Sequence, residues 1–351
     1  MLMLAAGDPV RADEGMWLFT DPPLGALKER YGFEPTPAWL ERVQKASVSL
    51  SSGGSGSFVS GDGLLLSNHH VASDAIQKLS TPERNLMRDG FLARVAGEEL
   101  ACPDLEATVL MEVEDVTGRV QGAVTTGMSA EQAVAARRAA MATLEQESKA
   151  RTGLQSEVVT LFQGGAYHLY RMKQYTDVRL VFAPEERIAF FGGDPDNFEY
   201  PRYCLDMALF RAYEGGKPAK VGHFVRWSVT GAREGELVLV SGHPGRTSRQ
   251  LTYAEFETLR DHVYPAVVER LQGEEVTLLA WAARSAENRR RAMEMLYSVQ
   301  NSRKARVGGL IGLQDPGLLG RIREEERAFR ERLAGMPEWE AAAAAYGRIE
   351  E

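Results

Sequence analysis

Apolar and polar positions change their spacing twice along this chain. Before residue 46 an amphipathic stretch around Trp39–Val43 predicts a short helix. From Ser47 the segment "SVSLSSGGSGSFVSGDGLLLSN" is rich in Ser, Gly and Val. Ser57–Ser60 and Leu64–Ser67 read there as strands joined by the turn "SGDG". A helical stretch, "AIQKLSTPERNLMRDGFLA", follows, and "ATVLMEVEDV" is another strand. Ser129 and Gln132 stand at capping-box spacing before a helix over 129–151, with Val134, Met141 and Leu144 on one face. "DVRLVFAP", "RIAFFGG", "LDMALFRAY", "HFVRWSV" and "ELVLVSGHPG" carry the strand pattern to about residue 245. Short strands with helical insertions predict a mainly β region, an antiparallel barrel or sandwich.

After Arg249 the period becomes helical. Thr252 and Glu255 repeat the capping-box spacing, and Phe256, Leu259, Val263, Val267 and Leu271 recur at helical intervals. Pro265 should kink or divide this helix. Residues 276–351 stay helical in character, and an apolar helical layer needs a partner to cover its face. The tail "EWEAAAAAYGRIEE" stops in mid-helix, so the chain reads as unfinished. At the other end, "MLMLAAGDPVRADEG" resembles the back half of a secretory signal peptide. Its cleavage point would fall near Ala5-Ala6-Gly7 or Arg11-Ala12, but the basic n-region is missing and the apolar stretch is short. A disordered leader is the alternative. The pattern thus divides the chain into a leader (1–12), a β-rich domain (13–250) and a helical segment (251–351).

Charge and cysteine content remove several classes. A net charge of −8 argues against a nucleic-acid partner. No apolar run approaches a membrane span. Cys102 and Cys204 are too few for a disulfide scaffold or a four-cysteine zinc site; they either pair or are buried small residues.

The segment "LLLSNHHV" holds two of the six histidines. On a strand, consecutive side chains face opposite sides, so His69 and His70 are not expected to chelate one ion. There is no H-E-x-x-H, and no metal is expected. A histidine just after a buried strand suits a general base, given a carboxylate to orient it and a nucleophile to deprotonate. A satisfied core histidine is the alternative. Asp206 lies in the apolar stretch "LDMALFRAY", where a carboxylate must be paired. Its partner is a histidine, or Arg202 or Arg211, unless it caps a turn.

Taken together, "DEGMW", "GSGSFVSGDGLLLSNHH", "AIQKLSTPERNLMRDGFLA", "FGGDPDNFEYPRY" and "SGHPGRTSRQLTYAEFE" resemble, in this order, the bacterial dipeptidyl-peptidases 7 and 11, serine peptidase family 46 of the chymotrypsin-like clan. The resemblance runs from about Asp13 to the end. It implies a chymotrypsin-like N-terminal β-barrel followed by the beginning of an α-helical cap domain, with a second barrel missing. It puts His70 on the family's general base and Asp206 on the acid that orients it. Asn197 falls on the residue that accepts from the free amino terminus of the substrate, and Phe198 stands beside it where the family has Trp. An amide oxygen is a suitable acceptor for an ammonium. This chain departs from the family at Val71 (usually Cys), at Leu205 (usually Gly) and at Glu199-Tyr200 (a more aromatic pair).

The family's nucleophilic Ser stands in a Gly-Asn-Ser-Gly-type turn of the second barrel, and no such motif follows Asp206. Ser55 and Ser57 precede the histidines and suit the strand that feeds them; Ser241 suits a strand end. The implied protein is the N-terminal part of a serine dipeptidyl-peptidase that releases dipeptides from oligopeptides with a free N-terminus. It needs no cofactor, is periplasmic or secreted, and is a homodimer when full length. The 351 residues alone are expected to be inactive. Preference at the second substrate residue, hydrophobic or acidic, would be set largely by the missing barrel. The competing readings are a non-catalytic peptide-binding paralogue and a β-rich envelope protein with a helical arm.

Overall fold

Val48, Leu50, Phe58 and Leu65 are buried on neighbouring strands, alternating with half-buried residues, and this period of two turns "SVSL…LLLS" into sheet. The computed structural model describes residues 15–244 and 251–350. The expected leader, and the passage around residue 250, lie outside them. The strands are β1 (Ser47–Leu50), β2 (Gly54–Phe58), β3 (Leu64–Ser67), β4 (Phe91–Leu92), β5 (Leu100–Ala101), β6 (Ala107–Asp115), β7 (Gln155–Leu161), β8 (Ala166–Tyr175), β9 (Asp177–Ala183), β10 (Ala208–Glu214) and β11 (Lys217–Pro218).

The chain forms two units, each discontinuous in sequence. The first comprises the chain up to Ser67, Val95–Val181 and Leu209–His243; the second comprises Asn68–Arg94, Phe182–Ala208 and the chain from Pro244 on. Residues 68–94 and 182–208 thus belong to the same unit as the C-terminal helices.

The first unit is a large sheet in the order β9-β10-β3-β2-β1-β6-β8-β7, with β5 beside β9 and β11 beside β10. Pairs such as Val48↔Gly56, Phe58↔Leu65 and Leu110↔Met172 are antiparallel. Gly56 is required where β2 meets β3, because a side chain there would press its Cβ to 2.8 Å from the Leu66 carbonyl oxygen. The helix Ala130–Thr152 begins with the expected capping box. Leu144 is buried with Val116, Val120, Val158 and Leu169, and Met141 packs against them; Val134 is exposed instead. Buried Arg171 donates to Ser148, Glu112 and Glu114, so its charge is matched inside the sheet.

Several expected strands differ. The first is Gly54–Phe58, not 57–60. "RIAFFGG" forms the helical turn Glu186–Ala189 and a bend. "HFVRWSV" and the described part of "ELVLVSGHPG", residues 236–244, form no strand, and Val229 and Val240 are 99% exposed. An alternating apolar stretch becomes a strand only when a neighbouring edge accepts it. The fold is consequently mixed helix and sheet rather than mainly β. Both cysteines are free: Cys102 is buried, which pushes its thiol up to about 12, and Cys204 is half-buried.

In the second unit, the Thr252 side chain accepts from the Glu255 N–H, and Glu255 returns a bond to Thr252. That helix, Tyr253–Thr258, passes through a π-helical turn, Leu259–Val263, before Tyr264–Ala282 resumes. Pro265 explains the interruption, since it has no N–H to give to the preceding turn. The helices Tyr264–Ala282 and Ala286–Leu313 pack against each other through Leu271, Ala292, Leu296 and Val299.

Candidate active site

Strand β3 ends at Ser67, and Asn68 is the N-cap of a helix, His69–Leu79. The histidines therefore open a helix and do not continue a strand. Ala72, Ala75 and Ile76 recur at helical spacing and are buried, which explains the change of period. Successive residues on a helix diverge by about 100°. The two rings still part company: His69 is 4% exposed, whereas the His70 side chain is 71% exposed.

Asp206 precedes β10 rather than lying within it. Its approach is held by the Leu205 N–H, which donates to the Ile188 carbonyl at 3.0 Å. The carboxylate grips His70 twice. Oδ2 lies 2.6 Å from His70 Nδ1, and Oδ1 accepts from the His70 backbone N–H at 3.0 Å. That N–H belongs to the first helical turn, where backbone donors lack partners. Asp206 thus caps the helix and orients the ring together. Asn68, whose side chain makes no cap, donates to the Asp206 carbonyl at 2.9 Å. Arg211 pairs with Glu99 and Arg202 bonds Asn197, so His70 is the partner of Asp206.

The two groups shift each other in opposite senses. The Asp206 hydrogen bond raises the His70 pKa above 6.5, against burial and the positive charge of Arg202. Burial pushes Asp206 up, but bonds from the His70 ring and backbone outweigh it and hold the carboxyl below 3.8. Above the raised His70 pKa the ring is neutral, Nδ1–H points at the carboxylate and Nε2 is an acceptor.

His69 is a different kind of group. Its Nε2 has no partner, and burial lowers its pKa below 6.5 against the opposing influence of Asp206 and the Pro184 carbonyl. A histidine depressed in the folded state resists protonation that the unfolded chain accepts. Its stabilising effect is complete above pH 6.5 and is lost as pH falls through the depressed value. His69→Asn should move the acid-unfolding midpoint to lower pH, measured by circular dichroism.

Asn197 follows the one-turn helix Gly193–Asp196, whose N-cap is Gly192. Gly192 has φ +79°, and a Cβ there would overlap the Asp196 carboxylate. Gly192→Ala should cost about 1–2 kcal/mol for the backbone alone, read as a fall in the urea midpoint. The turn is clamped by the helix Ala286–Leu313: Arg303 bonds both Asp194 (3.3 Å) and Glu275 (2.7 Å), and Lys304 donates to the Asp194 and Pro195 carbonyls. Asn197 itself is 7% exposed. Its Oδ1 accepts from Arg202 Nη1 at 2.8 Å, and its Nδ2 donates to Asn301 Oδ1 at 3.0 Å. Phe198 is left-handed at φ +64° and the residue is 61% exposed. A non-glycine residue in that conformation is strained by about 1–3 kcal/mol, and such strain concentrates at functional sites.

Sequence reasoning missed Asn301 and Arg303, and weighed Arg202 as a partner of Asp206 rather than of Asn197. The signal for Asn301 was faint: an asparagine in the interior of a long helix, where it is disfavoured. Two of the serines weighed earlier, Ser55 and Ser241, are engaged elsewhere. Ser55 Oγ accepts from the His243 N–H at 2.8 Å, and Ser241 Oγ bonds Ser47 Oγ at 3.0 Å. Among the described residues no group of three or more His, Cys, Asp or Glu could hold a metal ion, and no helix is long and apolar enough to cross a membrane.

The sequence profile described as Peptidase S46 matches residues 12–351. Dipeptidyl-peptidase 7 of Capnocytophaga gingivalis is 31% identical over 74% of this chain and 39% of its own length. Dipeptidyl-peptidase 7 of Porphyromonas gingivalis is 30% identical over 93% of this chain and 49% of its own. The crystal structure of Porphyromonas endodontalis DPP11 with the dipeptide Arg-Asp superposes with a TM-score of 0.83 at 25% identity, covering 97% of this chain and 52% of that one. The chain thus spans about half the length of these relatives.

Proposed function

Because the chain belongs to the peptidase S46 family, we propose that it is the base-bearing part of a serine dipeptidyl-peptidase acting on oligopeptides with a free N-terminus. The observation that carries this reading is the double hold of Asp206 on His70. His70 Nε2 takes the proton of a serine hydroxyl supplied outside these residues and returns it to the leaving amine. Asp206 keeps the ring in the tautomer that leaves Nε2 unprotonated, and stabilises the imidazolium once formed. Asn197 accepts from the substrate ammonium, and the ring of the exposed Phe198 forms an apolar wall beside it. The sheet is read as the chymotrypsin-like N-terminal barrel, the helices as the beginning of the cap domain, and the second barrel as the source of the serine. The protein carrying them acts outside the cytoplasm.

Three consequences are measurable. The base must be neutral to work, so the acid limb of kcat/KM belongs to His70 and lies above pH 6.5. The 351 residues alone lack the nucleophile and its oxyanion donors, and should release nothing from a fluorogenic dipeptidyl substrate. They should nevertheless bind tetra-alanine at least about tenfold more tightly than N-acetyl-tetra-alanine by calorimetry, because the acetyl group removes a charged hydrogen bond. Turnover by the chain alone, or equal binding of the two peptides, would count against the reading.

A further inference from the structure

Arginine is an unexpected neighbour for a site that receives a cation. Arg202 nevertheless donates directly to Asn197 and lies with its guanidinium 5.0 Å from the centre of the Phe190 ring. What distinguishes arginine from other polar residues is that it only donates. A carboxamide facing it must present its oxygen, so Asn197 cannot flip. Asn197 must then point its NH2 toward Asn301, and Asn301 must answer with its own oxygen. One donor-only side chain thereby fixes the orientation of two amides that would otherwise be interchangeable. Each fixed oxygen keeps a second lone pair.

We propose that Arg202 is the positioning residue of the amine pocket: it holds the carboxamide oxygen of Asn197 as an acceptor for the substrate's N-terminal ammonium. This rests on the reading of Asn197 as the amine anchor. It adds the reason the anchor presents oxygen rather than nitrogen. The relay runs in one direction, Arg202 to Asn197 to Asn301, and every bond in it has a compulsory polarity. The cost is a positive charge close to two other cations, the substrate ammonium and protonated His70. Stacking on Phe190 spreads and partly shields that charge.

The same charge supplies a second readout. Asp206, His69 and Arg202 are the charged or titratable groups that act on His70, and Arg202 disfavours its protonation. Removing Arg202 should therefore raise the pH at which His70 titrates, an effect a purely structural role would not produce.

The test uses the 351-residue chain, with tetra-alanine and N-acetyl-tetra-alanine as probes in calorimetry and imidazole NMR to follow His70. Arg202→Met should lose about tenfold or more of the preference for the free amine, leave binding of the acetylated peptide unchanged, and shift the His70 titration upward. Arg202→Lys keeps a donor and the charge; it should restore most of the preference and the original His70 titration, and it guards against a methionine variant that merely misfolds. Wild-type chain without amine preference would overturn the anchor reading and this proposal together. Wild-type preference retained in Arg202→Met, with His70 titrating as before, would overturn the role of Arg202 alone.

Discussion

Exchanging Asp206 for Asn is expected to lower kcat/KM for dipeptide release about ten-thousandfold in the dipeptidyl-peptidase proposed to carry this chain. The size follows from the two contacts of the carboxylate. Oδ1 accepts from the His70 backbone N–H, a donor whose polarity is fixed, so Asn must put its oxygen there. Its NH2 then faces His70 Nδ1 at the position now held by Oδ2. An N–H there forces Nδ1 to be the acceptor and moves the ring proton to Nε2, the atom that has to accept a proton. The geometry survives while the base is disabled. In the chain alone, the same substitution should lower the pH at which His70 titrates, since the Asp206 bond is what raises it.

Asn197→Ala is expected to erase the preference for a free amino terminus. A hydrogen bond to a charged group is worth about 1.5–3 kcal/mol, or roughly a ten- to hundredfold loss of affinity for the free peptide. Binding of the acetylated peptide should hardly change, since it does not offer the ammonium. The variant also leaves the Arg202 and Asn301 groups without their shared partner. Calorimetry with the two peptides separates loss of recognition from loss of folding, because only the first is confined to the free amine.

What could be read in advance depended on the range of the signal. Capping boxes at Ser129 and Thr252 are local, three residues wide, and both form as expected. The "ELVLV" stretch carried an equally clear local signal and failed, because whether it pairs depends on an edge that its own residues cannot specify. The two histidines were assigned to a strand because three leucines precede them. Asn68 was the contrary cue, and its side chain serves Asp206 rather than the helix it caps. Among the partners the residues left open for Asp206, only resemblance to a family singled out His70, since nothing in spacing alone joins residues 136 apart. The bond from Asn197 to Asn301 spans 104 residues and left no mark in the pattern at all.

The most direct test of the account is dipeptide release by the protein that carries this chain, assayed on a fluorogenic dipeptidyl substrate and its N-acetylated form, in wild type and in His70→Ala. The account predicts release from the free amine alone, abolished by the substitution. Undiminished release in His70→Ala, or equal hydrolysis of the acetylated substrate, would contradict it.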